Sequence, residues 1–118
     1  MRIVSQQAEF LKDVVLLLIE ADRQGFIVTG GELYRTQYQQ DFYLRTGASQ
    51  RKESIHQKRM AIDLNFFVKN TEGILELTYN KEIIQPLGDY WCRLCPQNEW
   101  GGNWIVLVDT PHFQRTPL

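Results

Sequence analysis

The sequence predicts an α+β fold, with a small, mainly antiparallel sheet and helices packed on it. Three observations carry this. Residues 5–24 hold apolar side chains at helical spacing and end at a glycine. Residues 60–68 alternate in the manner of a strand and run into a turn with a second extended stretch behind it. Residues 81–94 return to helical spacing and lead to a Trp/Gly-rich segment and a last apolar run.

In the first helix Ser5 is the expected N-cap. Phe10, Leu11, Val14, Val15, Leu17, Leu18 and Ala21 cover a broad apolar face, and Gly25 is the stop. Residues 26–28 read as a short strand, broken or bulged at Gly30-Gly31. Thr36-Gln37-Tyr38-Gln39 fits a capping box, a hydroxyl at the cap and an amide three residues on, so a second helix opens at Thr36 and ends at Gly47. Residues 48–53 are a polar loop.

The clearest strand covers residues 60–68, where Ala61, Asp63 and Asn65 alternate with Ile62, Leu64 and Phe66. Residues 70–73 form a turn, and residues 75–79 pair back. Residues 81–94 are helical, with Pro86 and Gly88 as weak points. Residues 99–103 are a loop, and residues 104–108 are a final strand ending at Asp109.

A chain of 118 residues is enough for one core, so a single domain over residues 1–118 is expected. With a net charge of -1 there is no global basic field for nucleic acid or anionic membrane. The one basic run, Arg51-Lys52-Glu53 to Lys58-Arg59, is either a solvated loop flank or a lip that attracts an anionic substrate. Near the N-terminus, Gln6, Gln7, Glu9, Lys12 and Asp13 interrupt any signal-like apolar run, and residues 14–19 are too short to span a bilayer. The expectation is a protein that is cytoplasmic as synthesised, without membrane insertion. Two cysteines, Cys92 and Cys95, cannot make a disulfide framework.

The chemistry concentrates at the two histidines, His56 and His112, each near a carboxylate. His56 is followed, after six intervening residues, by Asp63; Asp109 precedes His112 by three. Asp63 interrupts an apolar strand, where a carboxylate is costly to bury unless paired or bound to a cation. Zinc accepts this set of imidazole and carboxylate ligands, and three protein ligands leave a fourth position for water. Hydrogen-bonded core or surface histidines are the plainer alternative for the same residues. A hydrolytic site also needs a base, and Asp109 is placed for it. Pro111 forbids a regular helix, so a turn after residues 104–108 would aim Asp109 and His112 into one cleft. Arg35 is the best cation for a developing oxyanion.

Ser54-x-His56-x6-Asp63 with Asp109-x-x-His112-Phe113 resembles the D-Ala-D-Ala carboxypeptidase family of zinc peptidases. More narrowly, it resembles the single-domain phage endolysins of the L-alanyl-D-glutamate type. Further ordered blocks match over residues 26–114: Gly31-Glu32-Leu33-Tyr34-Arg35-Thr36, Gln39-Gln40, Ala61 through Phe67, Leu87-Gly88-x-Tyr90-Trp91 and Trp100-Gly101-Gly102-Asn103-Trp104. The resemblance implies a hedgehog/D-Ala-D-Ala-peptidase-like fold and one zinc ion held by His56, Asp63 and His112. It implies Asp109 as general base, Arg35 on substrate and oxyanion, and Ser54 and Gln40 lining the substrate cleft. It further implies hydrolysis of an amide bond in the peptidoglycan stem peptide by a monomer that a separate pore-forming protein releases to the cell wall. Aspartate at Asp109 fits the endolysin-like branch; glutamate is usual in the dipeptidase and carboxypeptidase branches. Two departures stand out. Gln114 replaces a common glutamate after His-Phe, and Arg59 lies near a position that is often small or glycine.

Three rival readings compete. Trp91-Cys92-Arg93-Leu94-Cys95 contains a Cys-x-x-Cys motif, but a helical stretch precedes it where a redox site needs a strand. A structural zinc site of Cys92, Cys95, His56 and His112 would leave Asp63 and Asp109 unexplained, and two half-buried thiols on one helix face are the simpler account. A peptidoglycan-binding module without catalysis would need no base at Asp109. Of the tryptophans, Trp91 and Trp104 are expected in the core, and Trp100, in its Gly-rich loop, is expected to be more open.

Overall fold

In the computed structural model, residues 2–31, 45 and 59–118 are described. They form two helices and a five-stranded antiparallel sheet. The strand order β1-β2-β5-β4, with β3 also on β2, makes β2 (Ala61–Lys69) the centre of the sheet. Its first residues pair with β5 (His112–Arg115), Ala61 opposite Gln114 and Asp63 opposite His112. Further along it pairs with β1 (Ile27–Gly30) and β3 (Leu75–Thr78). β4 (Asn98–Trp100) closes the far side against β5. The expected α+β architecture is the one observed. Apart from Arg45, which is helical, the predicted second helix, from Thr36 to Gly47, and the loop 48–53 lie outside the described residues.

The first helix, α1, spans Ile3–Arg23. It starts at Arg2 without a side-chain cap, so Ser5 is inside the helix rather than at its N-cap. Gly25 ends it at φ 91°, a backbone conformation glycine takes without a Cβ clash. The buried stripe is Gln6, Phe10, Val14, Leu17 and Ala21, spaced three and four apart. Leu11, Val15 and Leu18, expected on the same broad face, are exposed. The face that packs is therefore narrower than the apolar content of the helix.

The second described helix, α2, spans Lys81–Leu94, as the periodicity predicts. Asn80 caps it, its side-chain oxygen accepting from the backbone N–H of Glu82 and Ile83. Pro86 sits inside it and removes one helical donor, yet the helix continues, because Ile84, Leu87 and Trp91 are fully buried on the sheet side. Each such burial contributes about 1.5–3 kcal/mol. Gly88 is not a weak point. A Cβ there would fall 2.1 Å from Trp100 Cε3, so the glycine is what lets the indole lie against the helix.

Aromatic rings fill the space between the layers. Phe113 packs edge-on against Phe66 and Trp91 and stacks on Trp100, and Phe10 from α1 meets Trp91 edge-on. The Trp91 indole N–H is shared between the carbonyls of Glu99 and Gln114, which ties α2 to β4 and β5. At the far end of β5 the buried Arg115 guanidinium bonds Asp13 of α1 and Asn98 of β4.

The predicted strand 104–108 is a loop instead. The Gly101 carbonyl accepts from the N–H groups of both Trp104 and Asp109, closing the segment on itself, and Leu107 takes φ 53°, which no strand tolerates. Ile105 is 95% exposed, so apolar composition here does not report a buried strand. The last strand is β5, which begins three residues after Asp109. No described helix is long and apolar enough to cross a membrane.

Candidate metal centre

The site is assembled where β2 and β5 run side by side. Asp63 and His112 are directly opposed residues of that ladder, and their side chains meet, His112 Nδ1 lying 3.1 Å from Asp63 Oδ1. A turn over Thr110 and Pro111 brings Asp109 to the same place. The His112 N–H bonds the Asp109 carbonyl at 3.2 Å, and the Leu64 N–H bonds the Pro111 carbonyl at 2.9 Å, so the turn is anchored to itself and to β2. The carboxylate and imidazole ligand atoms of Asp63, Asp109 and His112 lie within 4.8 Å of one another. An open depression of about 300 Å³, lined by Tyr79, Val108, Asp109, Thr110 and Pro111, adjoins them.

Packing behind the site leaves it little freedom. The Trp100 indole N–H donates to the Thr110 carbonyl at 2.8 Å, and the Thr110 hydroxyl donates to the Tyr79 carbonyl at 3.0 Å. Gly101 has no room for a side chain. A Cβ would lie 2.3 Å from the Asp109 carbonyl oxygen and 3.1 Å from His112 Cβ. The Trp104 ring covers His112, with 5.0 Å between ring centroids.

The electrostatics favour a cation. Both ring nitrogens of His112 face acceptors, Asp63 Oδ1 at Nδ1 and Gln114 Oε1 at Nε2, the latter at 2.7 Å. A neutral imidazole carries one N–H and cannot donate to both. A second ring proton satisfies the pair, and so does a metal ion at Nδ1. Burial opposes protonation, but the hydrogen bond and charge of Asp63, the bond to Gln114 and the charge of Asp109 outweigh it, and the His112 pKa is raised. Two carboxylates and an imidazole are also a donor set that fits zinc.

Of the residues singled out in the sequence, Asp63, Asp109 and His112 are thus brought together. His56, Arg35, Ser54 and Gln40 lie outside the described residues. Trp100 and Trp104 exchange their expected places, Trp100 being 1% exposed and Trp104 partly exposed beside His112. Gln114 and Gly101 also border the site, although the motif spacing does not point to them as parts of it. The pairing Gly101-Gly102 next to an indole is the signal that close packing was required there. Arg59 takes φ 57°, a left-handed conformation that glycine adopts freely.

The cysteines stay outside the cluster. Both are free, and burial raises the pKa of Cys92, with Asp89 and Glu99 adding to it against a backbone hydrogen bond, which disfavours the thiolate a redox site needs. Cys95 is the C-cap of α2 in extended conformation, so the two thiols do not share a helix face.

The profile of the D-alanyl-D-alanine carboxypeptidase family matches residues 47–115. Among solved structures, the chain is similar to the crystal structure of the Serratia marcescens L-Ala D-Glu endopeptidase ChiX. The two share 26% identity over 89% of this chain and 79% of that one, with a TM-score of 0.66. No curated protein matches the chain. The family match covers more than half of the chain and includes the whole Asp63–Asp109–His112 cluster, so this chain belongs to the D-alanyl-D-alanine carboxypeptidase family and is a peptidase.

Proposed function

We propose that the chain is a zinc-dependent peptidase of the peptidoglycan stem peptide, cutting between L-Ala and D-Glu, with residues 1–118 as a single catalytic domain. The observation that carries the reading is the meeting of Asp63 and His112 across β2 and β5, with Asp109 beside them at an open depression. In this reading His56, Asp63 and His112 hold one zinc ion. Zinc bound there would polarise the scissile carbonyl and favour ionisation of the attacking water near neutral pH. Asp109 accepts the proton of that water and delivers it to the leaving amine. Arg35 steadies the oxyanion, and Ser54 and Gln40 line the substrate.

The printed activity of the Serratia enzyme supports the L-Ala–D-Glu bond, whereas the family description favours removal of a terminal D-Ala. Mass spectrometry of purified peptidoglycan, digested with and without a zinc chelator, separates the two. Chelator-sensitive cleavage between L-Ala and D-Glu is expected. Loss of single D-Ala residues would assign carboxypeptidase action instead. No cleavage by zinc-loaded protein would favour a binding module. The reading places the monomer in the cytoplasm until a separate pore-forming protein releases it to the wall. Accumulation in the periplasm without such a helper would contradict that placement.

A further inference from the structure

We propose that Gln114, itself held by Glu99, is a positioning residue that keeps a proton on His112 Nε2 and so presents Nδ1 to the metal. This rests on the reading of His112 as a zinc ligand. The pleat sets up the contact. His112 and Gln114 are two residues apart on β5, so their side chains lie on the same face, while Phe113 between them points into the core. Gln114 is 3% exposed, and its amide can turn either an oxygen or an NH2 toward the imidazole.

Glu99 decides which. It is the cross-strand partner of Gln114 on β4, and its Oε2 lies 3.2 Å from Gln114 Nε2. An ionised carboxylate only accepts, so the NH2 end of the amide must face Glu99 and the oxygen must face His112. The Thr116 hydroxyl donates to the same Glu99 oxygen at 2.6 Å and helps hold it. Gln114 Oε1 is then an acceptor 2.7 Å from His112 Nε2, which therefore carries the hydrogen. The remaining nitrogen, Nδ1, is the one that faces Asp63 and the cluster. An acceptor on the far nitrogen fixes both tautomer and ring orientation of a ligating histidine. A neutral amide performs this without adding a charge beside the metal.

The test is zinc affinity, by competition with a chromogenic chelator, together with the proton resonance of the His112 Nε2–H in 15N-labelled protein. Gln114→Leu is expected to weaken zinc binding about 10- to 100-fold and to lose the hydrogen-bonded Nε2–H resonance. Gln114→Glu combined with Glu99→Gln, which keeps an acceptor at Nε2 and gives it a donor to face in place of the Glu99 carboxylate, should retain both. Glu99→Gln, which offers Gln114 a donor as readily as an acceptor, should weaken binding less than Gln114→Leu. Wild-type affinity and an unchanged resonance in Gln114→Leu would overturn the proposal with the metal site intact. If the wild-type protein bound no zinc, the ligand reading would fail. The resonance would still report on the bond between His112 and Gln114.

Discussion

His112 stands directly across the β2–β5 ladder from Asp63, and the two side chains meet at 3.1 Å. Opposed residues of an antiparallel pair are held by the backbone, so the ladder sets where both side chains start. Asp109 reaches the same point through a three-residue turn bonded to β2 at Leu64. The cluster is therefore built from the central strand outward.

Removing either member of the opposed pair should abolish the metal site. Asp63→Ala and His112→Ala are each expected to leave the protein with well under one zinc per chain after dialysis. Hydrolysis of peptidoglycan should drop more than about 100-fold, beyond the effect of losing a partner that only orients a ligand. Metal analysis and a digestion assay on the same preparations check this. Retention of one zinc by both variants would place the metal elsewhere.

Asp109 is close enough to the other two to be a ligand or a base. The proposed role as base predicts that Asp109→Ala keeps its zinc and loses about 10²–10⁴ in turnover. Loss of zinc from this variant would make Asp109 a ligand. Full activity would remove it from the mechanism.

Gly101→Ala tests whether the site depends on the packing behind it. The added Cβ would press on the Asp109 carbonyl, an immobile backbone atom, so the turn must shift. Overpacking of this kind costs about 1–3 kcal/mol. A lower melting temperature and weaker zinc binding are expected together. Unchanged values for both would mean the turn relaxes freely.

Asp13→Ala separates stability from chemistry. It leaves the Arg115 guanidinium, buried between α1 and β4, without its closest carboxylate. Breaking a buried pair outright costs about 3–5 kcal/mol; Glu9, 3.7 Å from the guanidinium, and Asn98 remain as partners, so the loss should fall below that range. Denaturant titration should show that loss, while zinc content at low temperature stays at one per chain. Loss of zinc from folded protein would tie Arg115 to the site.

Much of the fold was legible because its elements are locally consistent. In β2 the alternation of Leu64 and Phe66 with Asp63 and Asn65 is a two-residue period, and in α2 Ile84, Leu87 and Trp91 recur at helical spacing behind an asparagine cap. Asp63 stood out because a carboxylate in an apolar strand needs a partner. The last strand is not legible in the sequence, because Ile105 to Val108 look more strand-like than His112 to Arg115 do. β5 is polar at three of its four positions, and its burial comes from β2 and β4 on either side and the Trp91 indole at the Gln114 carbonyl. The exposures of Trp100 and Trp104 are not legible in the sequence for the same reason. Exposure of an indole depends on what packs over it, and the glycines that make room for Trp100 are twelve residues upstream and two downstream.

The sequence by itself determined the α+β class, both described helices and the central strand, and it singled out Asp63, Asp109 and His112, because periodicity and residue chemistry are local properties. Only the tertiary structure decided that Asp63 and His112 share one rung of the sheet, that Gln114 takes the far nitrogen of His112, and that residues 104–108 form an exposed loop. Those outcomes depend on register between strands some fifty residues apart in the chain, and register is set by the packing of the whole sheet rather than by any single segment.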